Sequence, residues 1–226
     1  METKSWYRLI AAIYDPICRP LFAGPRRAAI TALQVLPGQT VVDLCCGTGL
    51  NLPQLSRAVG SQGRVIGVDF SSHMLRRAQR RIERHGLSNV HLIQGDAATF
   101  VPDAELLTGD RAEVNGVICT FGLAVAPNWQ QIRAQAWDIL CPGGRFCVAD
   151  NQPFRRFPLR AVNWPWVLAA NFCGAAEIRR PTWEFPEPSV DRISPQSFLA
   201  GFVFVTSAKK PIPGISAARQ QHQDVP

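Results

Sequence analysis

The sequence predicts an α/β fold, a doubly wound and mostly parallel sheet, on three observations. Short β-branched runs alternate with segments of helical period between residues 40 and 149, the pattern of strands joined by crossover helices. The first run, Val41-Val42-Asp43-Leu44-Cys45-Cys46-Gly47-Thr48-Gly49, passes straight into a glycine-rich turn with a helix after it. A second run, Val65-Ile66-Gly67-Val68, ends in Asp69 about twenty residues later, the separation expected of one strand–helix–strand unit.

Each element follows from its own signal. Residues 5–14 read as a helix, with Trp6, Leu9, Ile10 and Ile13 on one face, and Pro16 and Pro20 interrupt any continuation. A second helix is predicted over 26–36, stopped by Pro37-Gly38. Strand one covers 41–44 and its helix 50–59. Gly60 and Gly63 mark the turn into strand two at 64–68. An arginine-rich helix follows and stops at Gly86. Strand three covers 90–94, strand four 114–120, its helix 129–140, and strand five 145–149 after Pro142-Gly143-Gly144. Residues 202–206 form a late strand. Its antiparallel partner would fall at 215–219, which is weakly β-forming, so the sequence leaves the C-terminal hairpin incomplete.

Composition bounds the answer. With 226 residues, 46% of them hydrophobic, the chain suffices for one domain with a sizeable core. We expect a single domain over 1–219, with a helical cap at 1–36, a binding core at 37–150, a distinct segment at 151–200 and a disordered tail at 220–226. No apolar run approaches the roughly eighteen residues that span a bilayer, and no signal peptide is visible, so the expectation is a cytoplasmic protein. The seven cysteines are scattered without C-x-x-C spacing, and His is scarce. Reduced core thiols are expected, not a metal site or a disulfide framework.

The net charge of +7 is concentrated in Arg76-Arg77-Ala78-Gln79-Arg80-Arg81-Ile82-Glu83-Arg84. Leu75, Ala78 and Ile82 share one helical face, and the arginines are expected to point away. They form either a solvated face or a patch for anionic lipid or nucleic acid. No aromatic residues interleave with them, so a stacking platform for single strands is unsupported.

The glycine turn lets backbone N–H groups approach a polar ligand, and Asp69 is placed to accept hydrogen bonds from a ribose. Together they suggest an adenosine-type cofactor. The dinucleotide fingerprint fails, because Leu52 stands where a third glycine is required. The P-loop fails too, since no Gly-Lys-Ser/Thr follows. A loop with two glycines and no phosphate clamp suits a cofactor without pyrophosphate.

At this point the chain resembles the class I S-adenosylmethionine-dependent methyltransferases. The resemblance rests on residues 43–49, on Gly67-Val68-Asp69-Phe70-Ser71 with Met74-Leu75, on Gln94-Gly95-Asp96-Ala97 and on Leu140-Cys141-Pro142-Gly143-Gly144-Arg145. It implies a Rossmann-like core and S-adenosyl-L-methionine as cofactor. By this resemblance Asp43 interacts with the methionine moiety, while Cys45, Gly47, Thr48 and Gly49 form the loop against it. Asp69 binds the ribose hydroxyls. Phe70 and Met74 wall the adenine, although Met74 serves equally as core packing. Asp96 accepts from the adenine amino group and Ala97 supplies a backbone N–H. Thr120 ends strand four, where the methyl group faces the acceptor. The aspartate-proline-proline-aromatic signature of amino-directed nucleic-acid methylases is absent, which argues against nucleic acid.

Methyl transfer needs alignment first, and a base only where the acceptor holds its proton at neutral pH. Tyr7, Tyr14, His73 and Asp150 are weak candidates for that base, and no positioned pair is visible. Residues 7–15 resemble the opening helix of the ubiquinone/menaquinone C-methyltransferases and bacterial phosphatidylethanolamine N-methyltransferases. There the tyrosine-bearing helix covers the cofactor; here Tyr7 and Tyr14 serve equally as packing residues. Gly24-Pro25-Arg26-Arg27-Ala28-Ala29 is similar to the phospholipid branch. Trp164, Trp166 and Trp183 in a Pro-rich stretch are either a cap over the sheet or part of a surface for an apolar acceptor at an anionic membrane. The functional expectation is methyl transfer to a small apolar or amphiphilic acceptor: a lipid, quinone or secondary metabolite. The alternatives are a natural-product methyltransferase without membrane contact and a non-catalytic S-adenosylmethionine-binding protein. The sequence does not give the oligomeric state.

Overall fold

The computed structural model describes residues 20–107, 113–154, 180–182, 185 and 193–213. The expected helix at 5–14 with Tyr7 and Tyr14, the residues Trp164, Trp166 and Trp183, the strand at 215–219 and the tail lie outside them. The elements run in the order α1 (Ala23–Ala32), β1 (Thr40–Leu44), α2 (Leu52–Val59), β2 (Arg64–Asp69), α3 (Ser72–His85) and β3 (Val90–Gln94). There follow β4 (Val114–Thr120), α4 (Trp129–Asp138), β5 (Leu140–Asn151), β6 (Ile193–Phe198) and β7 (Val203–Lys209).

Seven strands form one sheet in the order β3-β2-β1-β4-β5-β7-β6. The first five are parallel, and β7 runs antiparallel to both β5 and β6. The chain leaves β1 in one direction through β2 and β3, then returns to build β4 and β5 on the other side. The connections therefore diverge at the C-terminal ends of β1 and β4, where open α/β sheets bind their ligands.

Side-chain alternation sorts the core into two layers. Val41, Ile118, Cys147, Ala149 and Val205 pack with Ala29, Ile30, Leu52, Leu55, Ala78 and Ile82 from α1, α2 and α3. Their neighbours Val42, Leu44, Val117, Cys119, Phe146 and Val148 face the other way and meet Ile132, Ala136 and Trp137 of α4. Strands covered on both faces are apolar along their whole length, and all five residues of β1 are buried. Each fully buried aliphatic side chain contributes about 1.5–3 kcal/mol. Phe185, the one described residue between 183 and 192, packs edge-on against Phe146 at 5.6 Å.

The structure corrects three expectations. The hairpin is complete, but its edge strand is Ile193–Phe198, which precedes the late strand instead of following it. An edge position tolerates Pro195, whose missing N–H would break an interior ladder. The first described helix is Ala23–Ala32, three residues earlier than the hydrophobic period suggested, with Pro25 inside its first turn, where no N–H is needed. Finally, Arg81 does not point away with its neighbours. It lies on the buried side of α3, 9% exposed.

Candidate functional site

The site is built where β1, β2 and β4 end. Beyond Leu44 the backbone turns sharply: Cys45 has φ +55°, Gly47 +57° and Gly49 +76°. The left-handed region costs a non-glycine residue about 1–2 kcal/mol, so Cys45 is strained. Directly across the sheet, Phe121, the first residue beyond β4, is also left-handed at +57°. Two strained residues thus flank the point where the strand connections diverge. A side-chain carbon added at Gly47 would meet nothing within 4 Å, so this turn faces open space. One added at Gly49 would sit 2.6 Å from Leu52 Cδ1 and 3.1 Å from Ala78 Cβ. Gly49 therefore supplies the close helix–strand approach that the missing third glycine provides in dinucleotide folds.

Asp69, at the end of β2, holds the turn from below. Its Oδ2 accepts from the Gly47 N–H at 2.8 Å and its Oδ1 from the Ser71 N–H at 2.9 Å. Burial raises its carboxyl above the ordinary range, against the lowering effect of those two bonds. From the other side, Arg81 Nε donates to the Thr48 carbonyl at 3.0 Å.

Asp43 is fully buried one residue before the end of β1. The Asn51 side-chain amide donates to both of its oxygens at 3.1 Å and also to Thr120 Oγ1 at 3.0 Å. Arg26, on α1, donates from Nη1 to Asn51 Oδ1 at 3.1 Å and to Thr120 Oγ1. Its guanidinium lies 4.9 Å over the Phe121 ring, which packs on Phe22. Desolvation pushes the Asp43 carboxyl up to about 7, opposed by the Asn51 bonds and the Arg26 charge and reinforced by Asp69. A buried carboxylate held this way gains from a cation placed beside it.

The remaining candidates flank this centre. Phe70 is 52% exposed beside Asp69, an open aromatic face. Met74 is buried on the inner side of α3. Asp96 is exposed and oriented by Asn128 Nδ2, which donates to both its oxygens at 3.2 and 3.3 Å, and by the Ala98 N–H. Ala97 beside it is buried.

Residues 41–144 match the family described as "Methyltransferase domain". The chain is 33% identical over 119 residues to a demethylmenaquinone methyltransferase of Lactococcus lactis, an alignment covering 52% of this chain and 44% of that protein. It is 27% identical over 209 residues to the Bacillus cereus protein of the same name, covering 82% and 84%. Several of these alignments span about half of the relative, as the 44% and 51% coverages show. A crystal structure of an S-adenosylmethionine-dependent methyltransferase from Aquifex aeolicus superimposes with a TM-score of 0.57 at 18% identity, covering 81% of this chain and 88% of that one. Residues 41–144 carry a class I S-adenosylmethionine-dependent methyltransferase domain.

In this methyltransferase domain the structure brings Asp43, Cys45, Gly47, Thr48, Gly49, Asp69 and Thr120 to one place, with Phe70, Asp96 and Ala97 around it. Of the weak base candidates, Tyr7 and Tyr14 lie outside the described residues, and the structure does not bring His73 or Asp150 there. His73 lies on the outer part of α3, hydrogen-bonded to the Arg76 side chain. Asp150 is fully buried at the end of β5, its oxygens accepting from the Ala124 and Asn151 N–H groups at 2.8 Å each. That is the position of an anchor for the loop after β4, not of a base open to an acceptor. Arg180 reaches the same loop and donates to the Leu123 and Ala126 carbonyls. Sequence reasoning missed Arg26, Asn51 and Arg81 as parts of the site. Arg26 stood in a quoted motif without a role, and nothing local distinguished Asn51 or Arg81 from surface residues.

Proposed function

We propose that the protein transfers the methyl group of S-adenosylmethionine to a small apolar or amphiphilic acceptor of the quinone or lipid class. The observation that carries this reading is the convergence at one switch point of a buried carboxylate, Asp43, with a glycine turn tied to a second carboxylate, Asp69. The donor is zwitterionic at its amino-acid end and offers two ribose hydroxyls, and the residues present suit both. Asp43 would hold the ammonium, whose positive charge relieves the cost of burying that carboxylate. Asp69 has lone pairs left to accept from the ribose hydroxyls beyond its two backbone bonds. Phe70 and Asp96 would take the adenine. The cofactor supplies an activated methyl on a sulfonium, so the protein's part is to align donor and acceptor and exclude water.

The acceptor class is supported by two things. Curated relatives are named for demethylmenaquinone, and Arg180 donates to carbonyls of the loop after β4, where a methyl acceptor would enter. Arg76, Arg80 and Arg84 stand exposed along one side of α3. They suit a peripheral contact of a cytoplasmic protein with anionic lipid. No helix among the described residues is long and apolar enough to cross a membrane.

Calorimetric titration with S-adenosylmethionine tests the donor reading. Binding by the intact protein and loss of at least 100-fold in affinity in Asp69→Ala are expected; no binding by the intact protein overturns it. Methyl transfer from labelled cofactor into quinone and lipid extracts tests the acceptor. Labelling confined to water-soluble metabolites would overturn that part, and co-sedimentation with anionic liposomes tests the membrane contact.

A further inference from the structure

We propose that Cys45 and Cys119 form an oxidisable thiol pair: a peroxide oxidises Cys45, and Cys119 resolves it into a disulfide that ties the glycine turn to the end of β4. The pairing stands on geometry alone. Its effect on donor affinity rests on the donor reading above.

Three observations carry it. In an extended strand successive side chains point to opposite faces, so Cys45 would point away from Leu44 and from Cys119, the residue beside Leu44 in register. The left-handed backbone of Cys45 reverses this, and its side chain packs against the layer that holds both of them. Gly122 then leaves room for the two thiols. A carbon added there would sit 2.9 Å from Cys119 Sγ, 3.2 Å from Cys45 Sγ and 2.6 Å from Cys45 Cβ. The sulfurs share the space of one missing side chain. Finally, the two thiols differ in exposure: Cys45 is half-buried and Cys119 wholly buried. A hydrogen bond with Cys45, and after it burial, hold the Cys119 thiol well above the ordinary range.

A disulfide is within reach. Neighbouring strands lie about 4.8 Å apart and one residue advances about 3.3 Å, which puts the two α-carbons roughly 6 Å apart, inside the span that a disulfide bridges. Cys46 is no rival. Its Sγ lies 3.2 Å from a carbon added at Gly67, toward β2, on the side of β1 away from β4.

The chemistry runs in two steps. The Cys45 thiolate attacks the peroxide, an S–O bond forms as the O–O bond breaks, and two electrons pass from sulfur to the peroxide. Hydrogen peroxide leaves as water, and Cys45 becomes a sulfenic acid. Cys119 Sγ then forms the S–S bond, the S–O bond breaks, and the Cys119 proton departs with the hydroxyl as a second water. Cys45 opens the glycine turn, while Thr120, next to Cys119, accepts from Arg26 and Asn51. A bridge between the two strand ends shifts both, so the oxidised protein binds the donor more weakly.

The reduced full chain is treated with hydrogen peroxide, its remaining thiols are blocked, and it is digested with trypsin without reduction. A cross-link between peptides 28–57 and 112–133 is expected, assigned by fragmentation to Cys45 and not Cys46. It should form at least tenfold faster than Cys141, also half-buried, is modified. Calorimetry should find S-adenosylmethionine bound at least tenfold more weakly by the cross-linked protein, with recovery after dithiothreitol. Cys119→Ala should bind the donor within about twofold of wild type before treatment, and afterwards carry Cys45 sulfenic acid without the cross-link. A cross-link through Cys46, Cys45 over-oxidised with Cys119 untouched, or Cys45 no faster than Cys141 overturns the pairing. All three are read on the wild-type chain, so they stand even if the variant fails to fold. Cross-linked protein that binds the donor as tightly as the reduced form overturns the effect on affinity. Reduced protein that binds no donor overturns the donor reading and leaves the thiol pair standing.

Discussion

Asp43 and Asp150 invite comparison. Both are fully buried acidic residues near the C-terminal ends of parallel strands, and desolvation raises both carboxyls to about 7. Their partners differ. Asp150 is held by main-chain N–H groups of Ala124 and Asn151, with the Arg180 charge nearby. Asp43 is held by a side-chain amide that also serves Arg26 and Thr120. Backbone donors that lose their acceptor stay buried and unsatisfied, whereas a side-chain network can rearrange around a newcomer. One shifted carboxyl is thus a fastening for a loop and the other a receptor for a ligand. A raised pKa alone does not tell them apart.

The largest effect expected to test this contrast is on stability. Asp150→Ala should cost about 2–4 kcal/mol, since it strands two backbone donors, and denaturant unfolding will measure it. Asp43→Asn should cost less, about 1 kcal/mol at pH 8, because it removes a carboxylate whose ionisation burial opposes while turning an amide N–H toward the Asn51 donor. If both substitutions cost the same, the contrast fails.

Next comes affinity. Asp43→Asn should weaken S-adenosylmethionine binding by about 10- to 100-fold through loss of a charge-assisted contact, while Asp150→Asn in folded protein changes it much less. Titration calorimetry separates the two.

The pH dependence follows with its sign fixed. In the free protein the Asp43 carboxyl titrates near 7, and an ammonium beside it favours the ionised form. Complex formation should therefore release a proton below pH 7, and affinity should fall as pH drops, at most about tenfold per unit. Asp43→Asn should remove its share of that slope, leaving whatever Asp69 contributes. Stability of the free protein runs the opposite way. For both buried acids the folded carboxyl is raised above the unfolded value of 3.8, so protonated protein is favoured and stability declines as pH rises from about 4 to 7. Asp150 should contribute to this second slope and not to the first.

The smallest effect is at the turn. Arg81→Met removes the bond to the Thr48 carbonyl and should weaken cofactor binding by about two- to fivefold, with a stability loss of about 1 kcal/mol. Measured rates of hydrogen exchange at the glycine turn should rise in this variant.

Much of this was legible in the sequence, for definable reasons. The strands β1, β2 and β4 announce themselves because a strand buried on both faces is mostly apolar, and the turn after β1 because only certain residues take its backbone. Asp69 was legible by its distance from that turn. Arg26 was not, because its role depends on meeting Thr120, ninety-four positions away in sequence. Arg81 was hidden among five arginines on one helix, where only the fold decides which of them turns inward. The edge strand β6 was hidden too. Its sequence Ile193-Ser194-Pro195-Gln196-Ser197-Phe198 has no clean alternation, and its register shifts between Ile193 and Gln196.

The strand order carries a consequence for how the molecule is made. β7 is the last of the described strands, yet it lies inside the sheet, and its residues from Val203 to Ala208 are all buried. Chains emerge from the ribosome N-terminus first, so β5 exists for a time with one bare, apolar edge. Arg145 must wait for Lys209 and Asp150 for Phe204 before that edge is covered. Until then the nascent protein presents an open template for pairing with a neighbouring copy. The hazard ends when synthesis reaches the residues that close the sheet.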